Sequence, residues 1–180
     1  MKKIILSLCA VLTMSLSLFA QHKASNAVGS KTLVVYFSAT GTTKTAAQKI
    51  AKATGGTLAA IEPTKAYTAG DLDWTNAKSR STIEMKNPKA RPACKKINTE
   101  GYTTIYLGYP IWWNEAPREV NTFIESSNLK GKKIIPFATS GGSGIANSVK
   151  VLKQTYPALQ WQNGKLLNNA SQKEIDTWVK

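Results

Sequence analysis

The chain has 180 residues, 42% of them apolar, which is enough for one domain with a buried core. Lysine and arginine (24) outnumber aspartate and glutamate (10), giving a formal net charge of +14 at pH 7. The basic residues occur singly or in pairs such as Lys95–Lys96 and Lys132–Lys133, without a long basic run. They therefore indicate a solubilising surface and no nucleic-acid site, and they leave an acidic protein partner open.

Residues 1–20 have the layout of a secretory signal peptide, with two lysines, then an apolar stretch, then Ala20. The apolar stretch Ile4–Phe19 is short for a membrane span, which needs about 20 residues. An uncleaved anchor is therefore the weaker alternative. We expect a protein that is cleaved after Ala20 and exported to the periplasm, without a stable membrane anchor. Residues 21–30 should form a flexible lead-in.

Histidine and cysteine are too scarce for several kinds of site. The one histidine, His22, lies near the predicted cleavage point, and Cys94 is the one cysteine after residue 20. This inventory excludes histidine-dependent triads, zinc clusters and internal disulfides in the mature chain. No catalytic residue and no metal ligand is assigned, and we expect Cys94 to be a buried, unreactive thiol.

The first predicted strand, Thr32–Phe37, runs directly into a loop rich in hydroxyl groups. The hydroxyl-bearing residues around its glycine, Gly41, are Ser38, Thr40, Thr42 and Thr43. A helical pattern follows, and a helix N-terminus offers unpaired N–H groups and the positive end of the helix dipole. We predict a phosphate site, with an ordinary helix cap and turn as the alternative. Neither GxxxxGK[ST] nor GxGxxG is present here, so ATP, GTP and NAD are not favoured.

Further strands and helices alternate along the rest of the chain. Strands are predicted at Thr57–Ile61, Thr103–Tyr109, Ile134–Ala138 and Ala158–Trp161. Their continuous apolar runs indicate burial on both faces, as in a parallel sheet. Besides the helix after the hydroxyl-rich loop, helices are marked by Pro117 in a first turn, by the stripe Ile145, Val149 and Leu152, and by a capping box at Ser171. This alternation predicts a doubly wound α/β sheet with helices on both faces, over residues 31–180.

The segment 62–101 shows no persistent period and reads as a long irregular excursion. Tyr67 and Trp74 could reach a ligand from it. Packing over the edge of the sheet is the favoured interpretation.

Two more candidate loops follow the third and fourth strands. They comprise Pro110, Ile111, Trp112 and Trp113 in the first loop, and Thr139, Ser140, Gly141 and Gly142 in the second. Tryptophans suit stacking on a flat ring, and glycines let the backbone approach a ligand closely. Because ligands of an open parallel sheet lie beyond the carboxyl ends of its strands, all three loops should meet. A phosphate, a flat ring and backbone contacts together describe flavin mononucleotide (FMN).

From Lys31 to the C-terminus the chain resembles the flavodoxin-like proteins of bacteria that carry a PIWW loop. The most specific segments are SATGTT (38–43), YPIWW (109–113) and ATSGGSG (138–144). The resemblance implies a five-stranded parallel sheet of order 2-1-3-4-5 with FMN bound non-covalently. It implies that residues of 38–43 hold the phosphate, that 110–113 line the isoalloxazine ring, and that 139–142 meet the other edge of the ring.

Two departures from flavodoxins bear on function. Flavodoxins are usually acidic, whereas this chain is basic. They also often place a glycine beside the flavin N5, where Asn114 is the nearest candidate here because asparagine tolerates positive φ.

The leading interpretation is an exported FMN electron carrier that serves a redox partner protein or a small-molecule acceptor. The alternative is an FMN-dependent NAD(P)H:quinone oxidoreductase, since PIWWNEAP also resembles the ring-binding loop of those enzymes. A binding module without cofactor is disfavoured. Glu115 and Arg118 are expected to form an ion pair at a helix start.

Overall fold

The computed structural model describes residues 31–180. The predicted signal peptide and lead-in, residues 1–30, lie outside this range. The strands are β1 (Thr32–Tyr36), β2 (Thr57–Ala60), β3 (Thr104–Pro110), β4 (Lys133–Thr139), β5 (Gln160–Trp161) and β6 (Lys165–Leu166). The helices are α1 (Thr42–Thr54), α2 (Arg80–Lys86), α3 (Arg118–Ser126), α4 (Ala146–Thr155) and α5 (Gln172–Trp178), with a short 3-10 helix at Gly70–Leu72. Over the described range, no helix is long and apolar enough to cross a membrane.

The strands form a parallel sheet of order β2-β1-β3-β4-β5, which confirms the predicted fold and strand order. The central strands β1, β3 and β4 are almost entirely buried, as their continuous apolar runs predict. β2 differs from the expectation of burial on both faces. Its residues are half-buried or exposed because it is an edge strand with a neighbour on one side only.

Helices cover both faces of the sheet, as predicted. Side chains alternate along each strand, so odd- and even-numbered residues of β1 enter different cores. Leu33 and Val35 pack with α3 and α4, through residues such as Val120 and Leu152. Val34 lies on the opposite face with α1 and α5. Two residues predicted inside helices, Pro117 and Ile145, instead occupy the N-cap positions of α3 and α4.

The fifth strand is interrupted, which the sequence did not predict. In place of one strand at Ala158–Trp161, the short strands β5 and β6 both pair with β4 in parallel. β5 pairs with the start of β4 and β6 pairs with its end.

Pro136 in the middle of β4 explains the interruption. The carbonyls of Ile134 and Ala138, on either side of it, accept hydrogen bonds from the N–H groups of Gln162 and Leu167, both at 2.8 Å. The backbone of Pro136 must therefore also face the edge strand. Proline has no N–H to donate, so the ladder has a gap at this position and the edge strand breaks there.

The segment 62–101 is closed on itself at its base. The Thr64 N–H donates to the Ala93 carbonyl (2.8 Å), and the Lys95 N–H donates to the Glu62 carbonyl (2.9 Å). These bonds hold the two ends of the segment together beside β2. The segment is therefore an ordered excursion with a fixed base.

The prediction that this segment lacks regular structure was wrong at α2. Ser79 caps the helix, because its hydroxyl oxygen accepts a hydrogen bond from the Thr82 N–H at 3.4 Å. The helix has only seven residues, and Met85 is one of its buried side chains. A helix this short carries too few turns to display a hydrophobic period.

Candidate cofactor-binding site

A cleft of about 400 Å³ lies at the carboxyl ends of β1, β3 and β4. Ten of the thirteen residues predicted as site residues line it: Ser38, Thr40, Thr42, Thr43, Pro110, Ile111, Trp112, Thr139, Ser140 and Gly141. Ala39 and Leu72 complete the lining. The structure therefore brings the three predicted loops together, although residues from the first and third are about a hundred positions apart in sequence.

Gly41 forms the turn from β1 into α1. Its φ of 94° lies in the left-handed region, where residues with a Cβ are strained. Its N–H donates to the Ser38 hydroxyl at 3.1 Å. Gly41 lies beside the cleft lining rather than in it, at a second cavity on the other side of the loop.

The N-terminus of α1 is suited to an anion. Within residues 31–180, no side chain caps this helix and no acidic residue occupies its first turn. The helix itself therefore supplies neither a hydrogen-bond acceptor for its first N–H groups nor a negative charge beside the positive end of its dipole. Thr40 and Thr42 are exposed at this end, with hydroxyls that can add hydrogen bonds to a phosphate.

Thr43 is buried and joins two of the loops. It is 1% exposed, and its hydroxyl lies 2.8 Å from the hydroxyl of Thr139, which is 4% exposed. Two hydroxyls carry two hydrogens, and one of them is used in this mutual bond. One hydrogen therefore remains for a ligand at the floor of the cleft.

Trp112 supplies the aromatic wall. Its ring makes edge-to-face contacts with Phe37 and Tyr67, with ring centroids 5.5 Å apart in each case. Trp113 is 45% exposed and does not line the cleft. Its predicted contact with the ring stays a prediction.

The PIWW loop ends in a tight two-residue turn. The Trp112 N–H donates to the Glu115 carbonyl (3.0 Å), and the Glu115 N–H donates back (2.9 Å). The two residues between them, Trp113 (φ 45°) and Asn114 (φ 64°), both have left-handed backbone conformations. Asparagine adopts this conformation readily, whereas it is unfavourable for a bulky residue such as tryptophan. Arg118 forms the expected ion pair with Glu115 at 2.9 Å.

The third loop is held by a residue that the sequence did not single out. Asn168 accepts a hydrogen bond from the Ser140 N–H (2.8 Å) and donates to the Ser140 carbonyl (2.7 Å). The Ser140 hydroxyl accepts from the N–H groups of Gly142 (3.1 Å) and Ser143 (2.8 Å). Gly141 lines the cleft and Gly142 does not. No local sequence signal links residue 168 to this loop.

The segment 62–101 contributes Leu72 to the cleft lining, which the sequence did not predict. Tyr67 packs behind Trp112, in agreement with the favoured interpretation of packing. Trp74 is 74% exposed and does not line the cleft. Cys94 is half-buried, and burial raises the pKa of its thiol to about 11, which keeps it protonated and unreactive at neutral pH.

A family model for flavodoxins matches residues 31–180. The chain belongs to the flavodoxin family. Comparison with curated proteins gives no match.

Solved structures agree with this assignment. A Bacteroides uniformis protein assigned as a flavoprotein is 54% identical, with a TM-score of 0.82 over 84% of this chain and 98% of that one. A second such protein, from Bacteroides eggerthii, is 55% identical, with a TM-score of 0.79 over 83% and 95% of the two chains. A flavoprotein from Lactobacillus acidophilus, solved in complex with FMN, shares the fold at 23% identity and a TM-score of 0.65, over 84% and 99%.

The cleft of this flavodoxin-family chain fits FMN in its chemistry. The uncapped start of α1 and its exposed hydroxyls suit a phosphate. Trp112 offers an aromatic surface for a planar ring system, and Gly141 leaves backbone groups accessible, because nothing lies within 4 Å of where its Cβ would be. No group of three or more potential metal ligands occurs in the described part of the chain.

Proposed function

We propose that this chain is an exported FMN protein that carries electrons to a redox partner. FMN is the cofactor expected of the flavodoxin family, to which residues 31–180 belong. The observation that carries the proposal is the convergence of the three predicted loops on one cleft at the carboxyl edge of the sheet. Bound FMN supplies the redox chemistry, and the protein binds, orients and shields it.

The residues divide that work by chemistry. The α1 N-terminus, with Thr40 and Thr42, would hold the phosphate. Trp112 would orient the isoalloxazine ring, and backbone groups of Ser140 and Gly141 would meet its polar edge. The Thr43–Thr139 pair fixes the floor between phosphate and ring sites.

The charge of the chain supports an acidic partner. Without Lys2 and Lys3 of the predicted signal peptide, the chain keeps a formal net charge of +12. This charge creates a positive field that accelerates the approach of an acidic protein and favours anionic species near the surface. The same field should stabilise a negatively charged reduced cofactor. We therefore expect a higher reduction potential than an acidic surface would give.

A further cavity, distinct from the one beside Gly41, favours the oxidoreductase alternative. It has about 430 Å³, shares Ser38 and Ala39 with the cleft, and is also lined by Lys44 and Tyr67. A small electron acceptor could occupy it beside the cofactor. The alternative function is an FMN-dependent NAD(P)H:quinone oxidoreductase.

Stepwise reduction of the FMN-loaded protein, followed by visible absorption, separates the two functions. A carrier should pass through a long-wavelength absorbing species in two one-electron steps. Direct bleaching, together with rapid turnover of a nicotinamide and a quinone, would support the oxidoreductase instead.

Export rests on the signal-like residues 1–20. The Lys2–Lys3 start lacks a twin-arginine signal, so we propose that the chain crosses the membrane unfolded and acquires FMN afterwards. Fractionation of expressing cells should give a shortened chain in the periplasm. A cytoplasmic precursor already loaded with FMN and then exported would contradict this route.

A further inference from the structure

A chain of hydrogen bonds lies behind the aromatic wall of the cleft. The Tyr67 hydroxyl is within hydrogen-bond distance of one carboxyl oxygen of Glu84 and one of Glu119. The other oxygen of Glu84 accepts a hydrogen bond from Arg80 Nε at 2.7 Å. The Arg80 guanidinium also lies over the Tyr67 ring, 4.0 Å from its centroid.

This arrangement needs one more proton than it contains when both glutamates are ionised. A tyrosine hydroxyl has a single hydrogen, and an ionised carboxylate has none to donate. Tyr67 can therefore donate to only one of the two carboxyl groups. The second hydrogen bond requires a carboxylic acid that donates to the Tyr67 oxygen.

Glu119 is the residue that fits the protonated role. Its side chain is fully buried, and its Oε2 has no hydrogen-bond partner within the described part of the chain. Arg80 Nη2 lies 3.9 Å from Glu119 Oε1, at the limit of ion-pair distance and beyond hydrogen-bond distance, whereas Arg80 Nε is bonded to Glu84 at 2.7 Å. Glu84 is partly exposed and bonded to Arg80, so it remains the carboxylate. Desolvation raises the pKa of Glu119, in agreement with this assignment.

Tyr67 connects these hydrogen bonds to the aromatic wall of the cleft. Its ring contacts both Trp112 and Phe37 edge-to-face, with centroids 5.5 and 5.9 Å away. Phe37 in turn contacts Trp112 at 5.5 Å. Three mutually contacting rings define the position of Trp112, and the hydroxyl of Tyr67 is the one polar anchor among them.

We propose that Glu119 is protonated and that its carboxyl group donates a hydrogen bond to the Tyr67 oxygen. This bond fixes the Trp112 wall of the cleft, so that Glu119 and Tyr67 are positioning residues for the flavin ring. The role in ring binding rests on the proposed function. The protonation of Glu119 does not, because it follows from contacts within the protein.

Other titratable groups surround this chain of bonds. They are Arg80 and Glu84 from α2, Glu115 and Arg118 at the start of α3, and Tyr67 and Cys94 from segment 62–101. Arg118 is occupied by the Glu115 carboxylate (2.9 Å) and the Met85 carbonyl (2.7 Å). It therefore does not neutralise an ionised Glu119. The raised pKa of the Cys94 thiol keeps it uncharged at neutral pH.

The first test needs no FMN. Unfolding free energies of the apo protein are measured against pH for the natural chain and for Glu119→Gln. Because the pKa of Glu119 is higher in the folded than in the unfolded chain, protonation of Glu119 contributes to the free energy of unfolding. This contribution is complete below the ordinary carboxyl pKa of 4.5 and is lost as the pH rises through the higher folded-state pKa. Glutamine has no such loss, so the stability of the variant relative to the natural chain should increase with pH. Parallel curves would overturn the protonation of Glu119.

The second test measures FMN affinity and the near-ultraviolet circular dichroism of tryptophan. Tyr67→Phe removes the anchor and should weaken FMN binding about tenfold, equivalent to one lost hydrogen-bond constraint of about 1.4 kcal/mol. Glu119→Gln keeps a donor toward Tyr67 and should stay within about twofold of the natural chain. Tyr106→Phe, the same change in the opposite core, is the control for affinity and should leave FMN binding unchanged. The tryptophan signal is not compared in this control, because the Tyr106 ring contacts Trp178 with centroids 5.5 Å apart.

The two tests separate the possible failures. Unchanged affinity and an unchanged tryptophan signal in Tyr67→Phe would overturn the positioning role. If the natural chain takes up no FMN, the proposed function and the positioning role fall together, while the pH curves still decide the protonation of Glu119.

Discussion

The hydroxyls of Thr43 and Thr139 lie 2.8 Å apart and join the first turn of α1 to the carboxyl end of β4. Both residues are buried, although 96 positions separate them in sequence. This bond closes the floor of the cleft between the predicted phosphate and ring sites. It makes the geometry of one loop depend on the other.

Replacing Thr43 by valine should therefore affect both stability and cofactor binding. The change leaves the buried Thr139 hydroxyl without its partner, which costs about 1–3 kcal/mol in unfolding free energy. Denaturant unfolding of the apo protein measures this loss, and Thr43→Ser is the matched control that keeps the hydroxyl. The double variant with Thr139→Val should lose less than the sum of the single changes. Additive losses would show that the two hydroxyls do not interact.

Thr40→Val should weaken FMN binding without changing apo stability. The Thr40 side chain is exposed at the cleft, so its hydroxyl is solvated in the apo protein. A hydrogen bond to a charged phosphate is worth about 1.5–3 kcal/mol, or at least a tenfold change in dissociation constant. Fluorescence titration with FMN checks this. Thr177→Val on α5 is the exposed control, and an equal effect of both changes would contradict the phosphate assignment.

Gly41→Ala should destabilise the protein by about 1–2 kcal/mol, because a φ of 94° is unfavourable for a residue with a Cβ. It should also weaken FMN binding, since the turn positions the α1 N-terminus. Gly101→Ala is a control with the same kind of backbone strain (φ 74°) away from the cleft. It should lose stability but not affinity, as measured by thermal unfolding and FMN titration. Loss of affinity in both variants would mean that the effect is global.

The two tryptophans should differ in their importance. Trp112→Leu removes the ring that lines the cleft and should weaken FMN binding at least about fivefold, because stacking of a planar heterocycle on an aromatic side chain contributes about 1–3 kcal/mol. Trp113→Leu removes a side chain that is 45% exposed and outside the lining, and should change affinity less than about threefold. Flavin fluorescence titrations of the two variants check the order. The reverse order would place the ring on the Trp113 side of the loop.

The sequence predicted the features that local patterns encode. The apolar runs of β1, β3 and β4 indicate buried parallel strands, and the hydroxyl-rich and glycine-rich loops directly follow them. In a parallel sheet the loops after such strands must meet at one edge, so ten of the thirteen predicted site residues line a single cleft.

The features that were missed depend on contacts between distant residues. The break between β5 and β6 is caused by Pro136 on the neighbouring strand and leaves no mark within residues 158–166. Asn168 reaches the third loop only because the edge strand returns beside β4. Leu72 lines the cleft because the base of segment 62–101 is fixed by pairing of its two ends.

The most direct measurement is a titration of the purified protein with FMN, followed by flavin fluorescence. We predict saturable binding of one FMN per chain, with a dissociation constant of about 1 μM or tighter and a tryptophan signal that changes in step. Absence of saturable binding under conditions in which the protein is folded would show that this cleft is not an FMN site.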